Sequence, residues 1–518
     1  MFVLTEDSER TQGEDAQASN IAAAKAVAES VRTTLGPKGM DKMLVDDTGE
    51  VVITNDGVTI LDEMDIEHPA AEMLVQVSEA QEDEVGDGTT TAAVLAGQLL
   101  AEAEDLIDDE VHPTTIVQGY AAARGIALET IEAETLGDET DDELLRKVAK
   151  SSMTGKGTGD IDAGRLAELV VEAIRHVETD EGVERGNVTV KAWTGASSSA
   201  TELVEGVVIE DEPVRTEMPT TVEDATIAVF DDDLEPRSRD VTASVEYNVD
   251  SLDQLNEAID AENEEMAGYA QGIIDAGVDV VFIRNHDMDD RVAERLAAAG
   301  VLVVENIDAD PATALAQATG ASYVADPEEL DGDTVGHAEE VRVETYGDDT
   351  LVFVEGGADA ETVTLFARGG TEHVSDELER AVTDALDVVA AAIDAGGVVP
   401  GAGAIEAKLA GAIRDEAAGV EGRQQLAVEA FADALDTIPR TLAENIGMDQ
   451  IDALVDIRAG NEAGVAGVIM EGETGAIGDP IEEGVLDPAA VKREAVKSAT
   501  EAATMIVRID DVISANSD

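Results

Sequence analysis

The chain has no cysteine, which removes disulfides, thiolate nucleophiles and cysteine-ligated zinc. Aromatic residues are few, 6 Phe, 5 Tyr and 1 Trp in 518 residues, so any core must be built from Ala, Val, Leu and Ile. Basic residues are scarce too. Lys and Arg number 32 against 116 Asp and Glu, a net charge of −84. Phosphate backbones and anionic lipid surfaces need a basic face, so neither nucleic acid nor a membrane is expected as a partner. The 6 His are scattered without paired ligand spacing, which argues against a histidine metal site. No stretch approaches the roughly 18 apolar residues that span a bilayer. Met1–Ala16 is acidic and lacks the basic-then-apolar pattern of a signal peptide. The expectation is a cytoplasmic protein.

What is present is 44% hydrophobic residues, enough to bury sizeable cores and exclude wholesale disorder. At about 150 residues per domain the length suits three or four domains. Acid is spread along the whole chain, as in Asp7–Glu14, Asp231–Asp233 and Asp326–Asp333, and is not gathered into a tail. Such self-repulsion is tolerable where the Debye length is about 3 Å, that is, in molar salt. The composition therefore reads as that of a halophilic protein. A lone carboxylate in such a chain is first of all surface solvation, so function must be argued from motifs.

Apolar residues at Ile21, Ala24, Ala28, Val31 and Leu35 predict one helix face, stopped by Gly36-Pro37. Val51–Thr54 reads as a strand ended by the turn Asn55-Asp56-Gly57. Pro69 opens a helix to about Glu84; Gly86-Asp87-Gly88 breaks it, and Thr89 opens another through Leu95, Leu99, Ala103 and Leu106. From about Val188 to Val354, β-type runs (Thr226–Phe230, Val278–Ile283, Val301–Val304, Leu351–Val354) alternate with helical patterns such as Asp290–Ala298 and Pro311–Thr319, which predicts an α/β domain. Within it, Leu252–Ile274 reads as a polar helix with few anchoring residues, preceded by the β-favouring Val241–Val249. Ala-rich helices return at Gly403–Ala417 and Arg423–Asp436. Helix, α/β, then helix predicts a middle domain inserted into a discontinuous helical one.

Two glycine loops look like parts of a phosphate site. Thr34-Leu35-Gly36-Pro37-Lys38-Gly39 offers bare backbone to an anion, and Gly86-Asp87-Gly88-Thr89-Thr90-Thr91 feeds a helix N-terminus. Asp87 is a natural hard-oxygen ligand for Mg2+, and the threonine hydroxyls can cap the helix or touch phosphate. Asp56 presents a carboxylate on a turn. Singly, each is explained as a helix stop, an N-cap or a turn residue, and neither loop is a Walker A sequence.

Their order and spacing add more. Thr33–Leu44 (TTLGPKGMDKML), Thr54–Leu61 (TNDGVTIL), Gly86–Thr91 (GDGTTT), Ala367–Val374 (ARGGTEHV), Phe431–Asn445 (FADALDTIPRTLAEN) and Val491–Val512 resemble blocks of the group II chaperonins over essentially the whole chain, with haloarchaeal subunits as the nearest kind. The resemblance implies a multidomain α/β and α chaperonin fold: a helical equatorial domain (1–137 and 396–518), a small intermediate domain (138–206 and 356–395), and an inserted α/β apical domain (207–355) with a helical protrusion at about 241–274. It implies an ATP-dependent chaperone subunit in a double ring with other chaperonin subunits, homo- or hetero-oligomeric, enclosing non-native protein clients.

For site residues the resemblance implies Leu35, Gly36 and Pro37 along the nucleotide, Asp87 as Mg2+ ligand, and Gly88, Thr89, Thr90 and Thr91 around the phosphates. It implies Asp56 as the residue positioning the attacking water, Asp384 as the water-activating carboxylate, and Lys156 as the sensor of the γ-phosphate. Gly401 and Ala402 would lie at the nucleotide, and Asp487 would bind ribose. ATP and Mg2+ are the implied ligands, with K+ admissible. Three features depart from the family pattern. Ala402 interrupts a glycine triplet, Ile469 stands where Asn or Asp is usual near the base, and Val304-Glu305-Asn306 lacks paired arginines. Without the family, Asp384 is explained as the i,i+4 partner of Arg380. Two rivals stay open: a nucleotide-binding ring subunit with a mainly structural role and weak hydrolysis, and an ATP-dependent phosphotransferase.

Overall fold

Helices begin and end at the glycines, prolines and carboxylates that punctuate the sequence. The helix Pro69–Val85 stops at Gly86 in the left-handed conformation (φ 64°), and Gly88 (φ 83°) turns the chain into the helix Thr89–Asp108. The intervening loop therefore needs two residues that carry no steric penalty at positive φ. These boundaries match the expectation closely, as do the strand Val51–Thr54 and the helix Asp290–Ala299. At Asn55-Asp56-Gly57 the expected turn is instead a helix start: Asp56 caps the short helix Gly57–Asp62 by accepting from the Thr59 amide at 2.9 Å.

The computed structural model describes residues 8–45, 49, 51–64, 66–137, 141–157, 159–179, 182–236, 252–347, 349–357, 362–394 and 396–515. They form two compact units, one from Met1–Thr158, Asp162–Val171 and Arg380–Asp518, the other from Gly159–Ile161 and Glu172–Glu379.

The first unit is helical. Its core packs Glu14–Arg32, Thr89–Asp108, Pro113–Glu134, Gln424–Leu435 and Ala489–Val507 through small side chains. A β-carbon on Gly97 would lie 2.2 Å from Ala28 Cβ, and one on Gly119 would lie 2.4 Å from Ala427 Cβ. Helices this close leave little room for rings, which is how a chain so poor in aromatics fills its core. One ring pair is buried there: Tyr120 meets Phe431 edge-on at 5.6 Å, and its hydroxyl donates to the Leu99 carbonyl at 2.7 Å. The strand Ser8–Gln12 pairs antiparallel with Asp511–Ala515, tying the two ends of the chain together.

The second unit is α/β, as the middle of the chain predicts. Its larger sheet runs Leu302–Ile307, Val280–Arg284, Thr221–Phe230, Gly336–Tyr346, Asp349–Gly357, Gly206–Ile209, with Tyr323–Val324 also beside Thr221–Phe230. The first three strands and Tyr323–Val324 are parallel, and the other pairings are antiparallel. The parallel strands are the unbroken apolar runs of the sequence, because helices cover both their faces. A smaller sheet joins Val188–Thr194, Val363–Gly369 and Glu202–Val204.

One expectation needs correction. The polar helix is present as Leu252–Asp275, but it is anchored. Met266, Ala270 and Ile273 are fully buried in the core of this unit, and Arg291 donates to Glu262 and Asn263. Its C-terminal half therefore contributes to the core, whereas Ile259 and Asp260 nearer its start are exposed. The β-favouring stretch 241–249 lies outside the described residues.

Candidate functional site

In the first unit a cavity of about 320 Å³ opens among the glycine loops, a size suited to a nucleotide-sized ligand. Leu35, Gly36 and Pro37 line it, as do Asp56, Asp87, Gly88, Thr89, Thr90, Thr91, Lys156, Ala402 and Asp487. Gly401 is not on the lining but lies against Asp487: its β-carbon position is 3.0 Å from Asp487 Oδ2. Asp384 reaches the site through Lys156, whose Nζ donates to Asp384 Oδ2.

Three helices start at the cavity without a side-chain cap: Thr89–Asp108 after Gly88, Ala404–Ala417 after Gly403, and Ala489–Val507 after Pro488. Other helices carry carboxylate caps from Asp141, Asp289 and Asp449, although Glu14–Arg32 and Gln424–Leu435 also start uncapped; what sets the three cavity helices apart is that they start at one cavity. The open first-turn amides and helix dipoles at one cavity make a site for a polyanion. The loops are packed tightly around it. A β-carbon at Gly57 would lie 2.4 Å from Thr90 Oγ1, so the Asp56 helix abuts the Thr89 helix start. Asn55 Nδ2 donates to the Gly155 carbonyl at 3.0 Å, holding the Lys156 loop to the Asp56 turn.

Negative charge is in excess here. Burial pushes the Asp384 carboxyl up to about 6, against the pull of Lys156 and with added repulsion from Asp56 and Asp87. Burial likewise raises Asp87, although Lys156 pulls it down. Burial alone would lower Lys156, but Asp384, Asp87 and Asp56 hold it above its ordinary value. Glu82, on the preceding helix, is pushed up to about 8 by burial and by Asp384, Asp56 and Asp87. Lys156, even with Lys492 also acting on Asp87, does not balance these carboxylates. The donor set of hard oxygens fits a divalent cation, and Asp87 and its neighbours would hold it.

Asp384 is paired with Lys156 and only 15% of its side chain is exposed, so it is not a solvated surface carboxylate. Ala402 adopts φ 59°, its carbonyl accepts from the Val468 amide at 2.8 Å, and its methyl comes within 2.9 Å of the β-carbon position of Gly467. Ile469 lies buried on the lining beside Val468, Ile438 and Leu442. This gives the cavity an apolar stretch with no base-pairing side chain on it.

Residue-level reading overlooked three more groups. Gln81 is fully buried and donates through Nε2 to the Asp87 carbonyl at 2.7 Å and the Val491 carbonyl at 3.2 Å. Lys492 lies 2.8 Å from both Asp487 and Glu406. Glu82 carries no motif, and nothing in the local sequence distinguishes it from the solvating acids around it. A lysine in so lysine-poor a chain was the available signal for Lys492. Outside this site, Asp232, Asp233 and His286 form a metal-capable group in the other unit, but its two carboxylates are exposed.

Residues 27–517 match the TCP-1/cpn60 chaperonin family. The chain belongs to that family. It is 62% identical to thermosome subunit 3 of Haloferax volcanii over 99% of this chain and 98% of that one. It is 50% identical to thermosome subunit alpha of Halobacterium salinarum, over 99% and 91%, and 48% identical to the thermosome subunit of Methanopyrus kandleri, over 99% and 95%. The likeness to haloarchaeal subunits agrees with the acid-rich composition. The chain is thus a group II chaperonin subunit that acts in a double-ring chaperone. Chaperonins are known for ATPase activity and use nucleotide with Mg2+. Among the described residues no helix is long and apolar enough to cross a membrane.

Proposed function

We propose that this subunit itself binds ATP with Mg2+ in the described cavity and hydrolyses it to drive the enclosure of non-native clients. The observation that carries the reading is the meeting of uncapped helix starts, buried carboxylates and Lys156 around one cavity. The open amides of Gly88–Thr91 and the backbone of Leu35–Pro37 would cradle the phosphates, with Gly401, Ala402 and Asp487 on the nucleoside side. Asp87 would hold Mg2+, which when bound neutralises phosphate charge. Asp384 accepts the proton of the attacking water, Asp56 helps orient that water, and Lys156 exchanges its contact with Asp384 for the terminal phosphate.

We further propose the three-part division with its lid segment, a cytoplasmic setting, and rings that include other subunits. Haloferax volcanii has thermosome subunits 1, 2 and 3, each similar to this chain. A rival reading, a nucleotide-binding subunit with weak hydrolysis, is favoured by the Lys156–Asp384 pair, which occupies the water-activating carboxylate.

Asp384→Ala separates the two. It leaves the phosphate-cradling backbone untouched, so ATP affinity should stay near that of the parent. Turnover should fall by roughly 10²–10⁴ if Asp384 is the proton acceptor. Parent-like hydrolysis in single-turnover assays at high KCl would remove Asp384 from the chemistry.

A further inference from the structure

The most deeply buried charge cluster at the cavity contains two residues, Lys492 and Glu406, to which the proposed chemistry gives no role. Lys492 stands in the first turn of the helix Ala489–Val507, and its side chain is 11% exposed. Its Nζ lies 2.8 Å from Asp487 Oδ2 and 2.8 Å from Glu406 Oε1. Glu406, in the first turn of the helix Ala404–Ala417, is 5% exposed at the side chain, and its carboxylate oxygens make no hydrogen bond of good geometry. Asp487 differs from it. The pairing of Val398–Pro400 with Leu486–Pro488 sets Asp487 opposite Val399 and brings Gly401 against it, and the side chain is 24% exposed on the cavity lining. The β-carbon position of Gly401 is 3.0 Å from Asp487 Oδ2 and 3.2 Å from Oδ1, so the carboxylate is wedged between that backbone and Lys492.

The cluster holds two carboxylates and one ammonium. If it existed only to neutralise charge in the wall, one carboxylate would suffice. Glu406 would then be a needless burden, since a second carboxylate buried on the same ammonium must be desolvated as well. With Glu406 behind it, the ammonium is fixed from two sides and cannot swing toward the phosphates. It holds Asp487 Oδ2, which leaves Oδ1 as the acceptor for a ligand hydroxyl. Asp487 and Glu406 together keep Lys492 charged despite its burial.

We infer that Lys492, backed by Glu406, is a positioning residue that orients Asp487 toward a ribose hydroxyl and so sets the preference of this site for ribonucleotides over deoxyribonucleotides. The inference rests on the ATP-site reading above and adds selectivity to it.

The test is equilibrium binding of ATP, 2′-deoxy-ATP and 3′-deoxy-ATP to the assembled protein in molar KCl. The parent, Asp487→Asn, Lys492→Arg and the charge-balanced pair Lys492→Met/Glu406→Gln are compared, each checked for native circular dichroism. A hydrogen bond to a carboxylate should give the parent roughly a ten-fold or greater preference for ATP over at least one analogue. In Lys492→Met/Glu406→Gln that preference should fall to within about three-fold, from weaker ATP binding with little change for the analogue. Asp487→Asn should show the same loss, and Lys492→Arg should restore part of it.

Equal weakening for all three nucleotides in Lys492→Met/Glu406→Gln would mean a phosphate contact or a purely structural role, and would overturn the inference. An undiminished preference in that variant would overturn it as well. If the double variant does not fold, Lys492→Arg decides: full parental preference despite the altered geometry counts against positioning. Loss of discrimination in none of the variants, with ATP still bound, removes Asp487 from the ribose while the ATP site stands. A parent that binds no ATP fails the site reading itself, and this inference with it.

Discussion

Ala402 holds a positive φ of 59° that an alanine adopts at a steric cost. The strain comes from Cβ against the neighbouring carbonyl, so removing Cβ should relieve it. Ala402→Gly is expected to raise stability by roughly 0.5–1.5 kcal/mol, after the larger chain entropy of glycine is set against the relief. The thermal midpoint in molar KCl checks this, and a lower midpoint would mean that the methyl's packing at Gly467 outweighs the strain.

Asp211 is a second residue at odds with its place. Burial, and then Asp308, Glu210 and Glu212, push its carboxyl up to about 6. With the folded value above the unfolded one, the folded state binds more protons, so the contribution of Asp211 to stability falls as pH rises from about 4 through 6. Asp211→Asn should therefore match the parent near pH 4 and be the more stable protein above about pH 6.5. Chemical denaturation at the two pH values measures the difference. A gain of equal size at both would show that charge is not the cause.

Among the elements, the helix Leu252–Asp275 divides into two parts with different work. Ile259 is 45% exposed, whereas Met266 is fully buried in the core of the second unit. Met266→Ala should cost about 2–5 kcal/mol through lost burial and the cavity left behind. Ile259→Ser should change stability little. Denaturant titration of the two variants locates the boundary between the buried and the exposed part of the helix, and equal effects would contradict it. A deletion meant to remove only a lid must accordingly stop before Glu262, because a cut reaching Ala270 takes core with it.

Across the whole molecule the net charge of −84 dominates. Ion pairs such as Arg32 with Glu444 and Lys25 with Glu104 join elements of the helical unit, but 32 basic residues cannot balance 116 acidic ones. At about 0.1 M KCl the Debye length is ~10 Å, and like charges on adjoining surfaces repel across it. Dilution from molar KCl to that level should dissociate the rings, which light scattering or electron microscopy reads directly. Intact rings at low salt would show that the acidic surface is not an adaptation to salt.

Sequence alone determined what depends on neighbouring residues. Helix ends at Gly86 and Gly88, the strand Val51–Thr54, the alternation of β-type and helical runs, and the Gly86–Thr91 loop are set by backbone preferences within a few positions. The same locality explains the misreadings. Whether Leu252–Asp275 is anchored depends on the helix Asp290–Ala299 and the core it packs into, and whether Asp56 ends a turn or caps a helix depends on the packing of Gly57 against Thr90.

The site's motifs were legible, but its connections were decided by the tertiary structure. Lys156 meets Asp384 across 228 positions, and Gln81 reaches Val491 across 410. Lys492 is set between Asp487 and Glu406 by the meeting of two helix starts. In a chain this rich in acid, a carboxylate's sequence neighbours say little about its role. Burial and the nearest cation distinguish Asp384, Asp87 and Glu406 from the solvating majority, and both are properties that only packing creates.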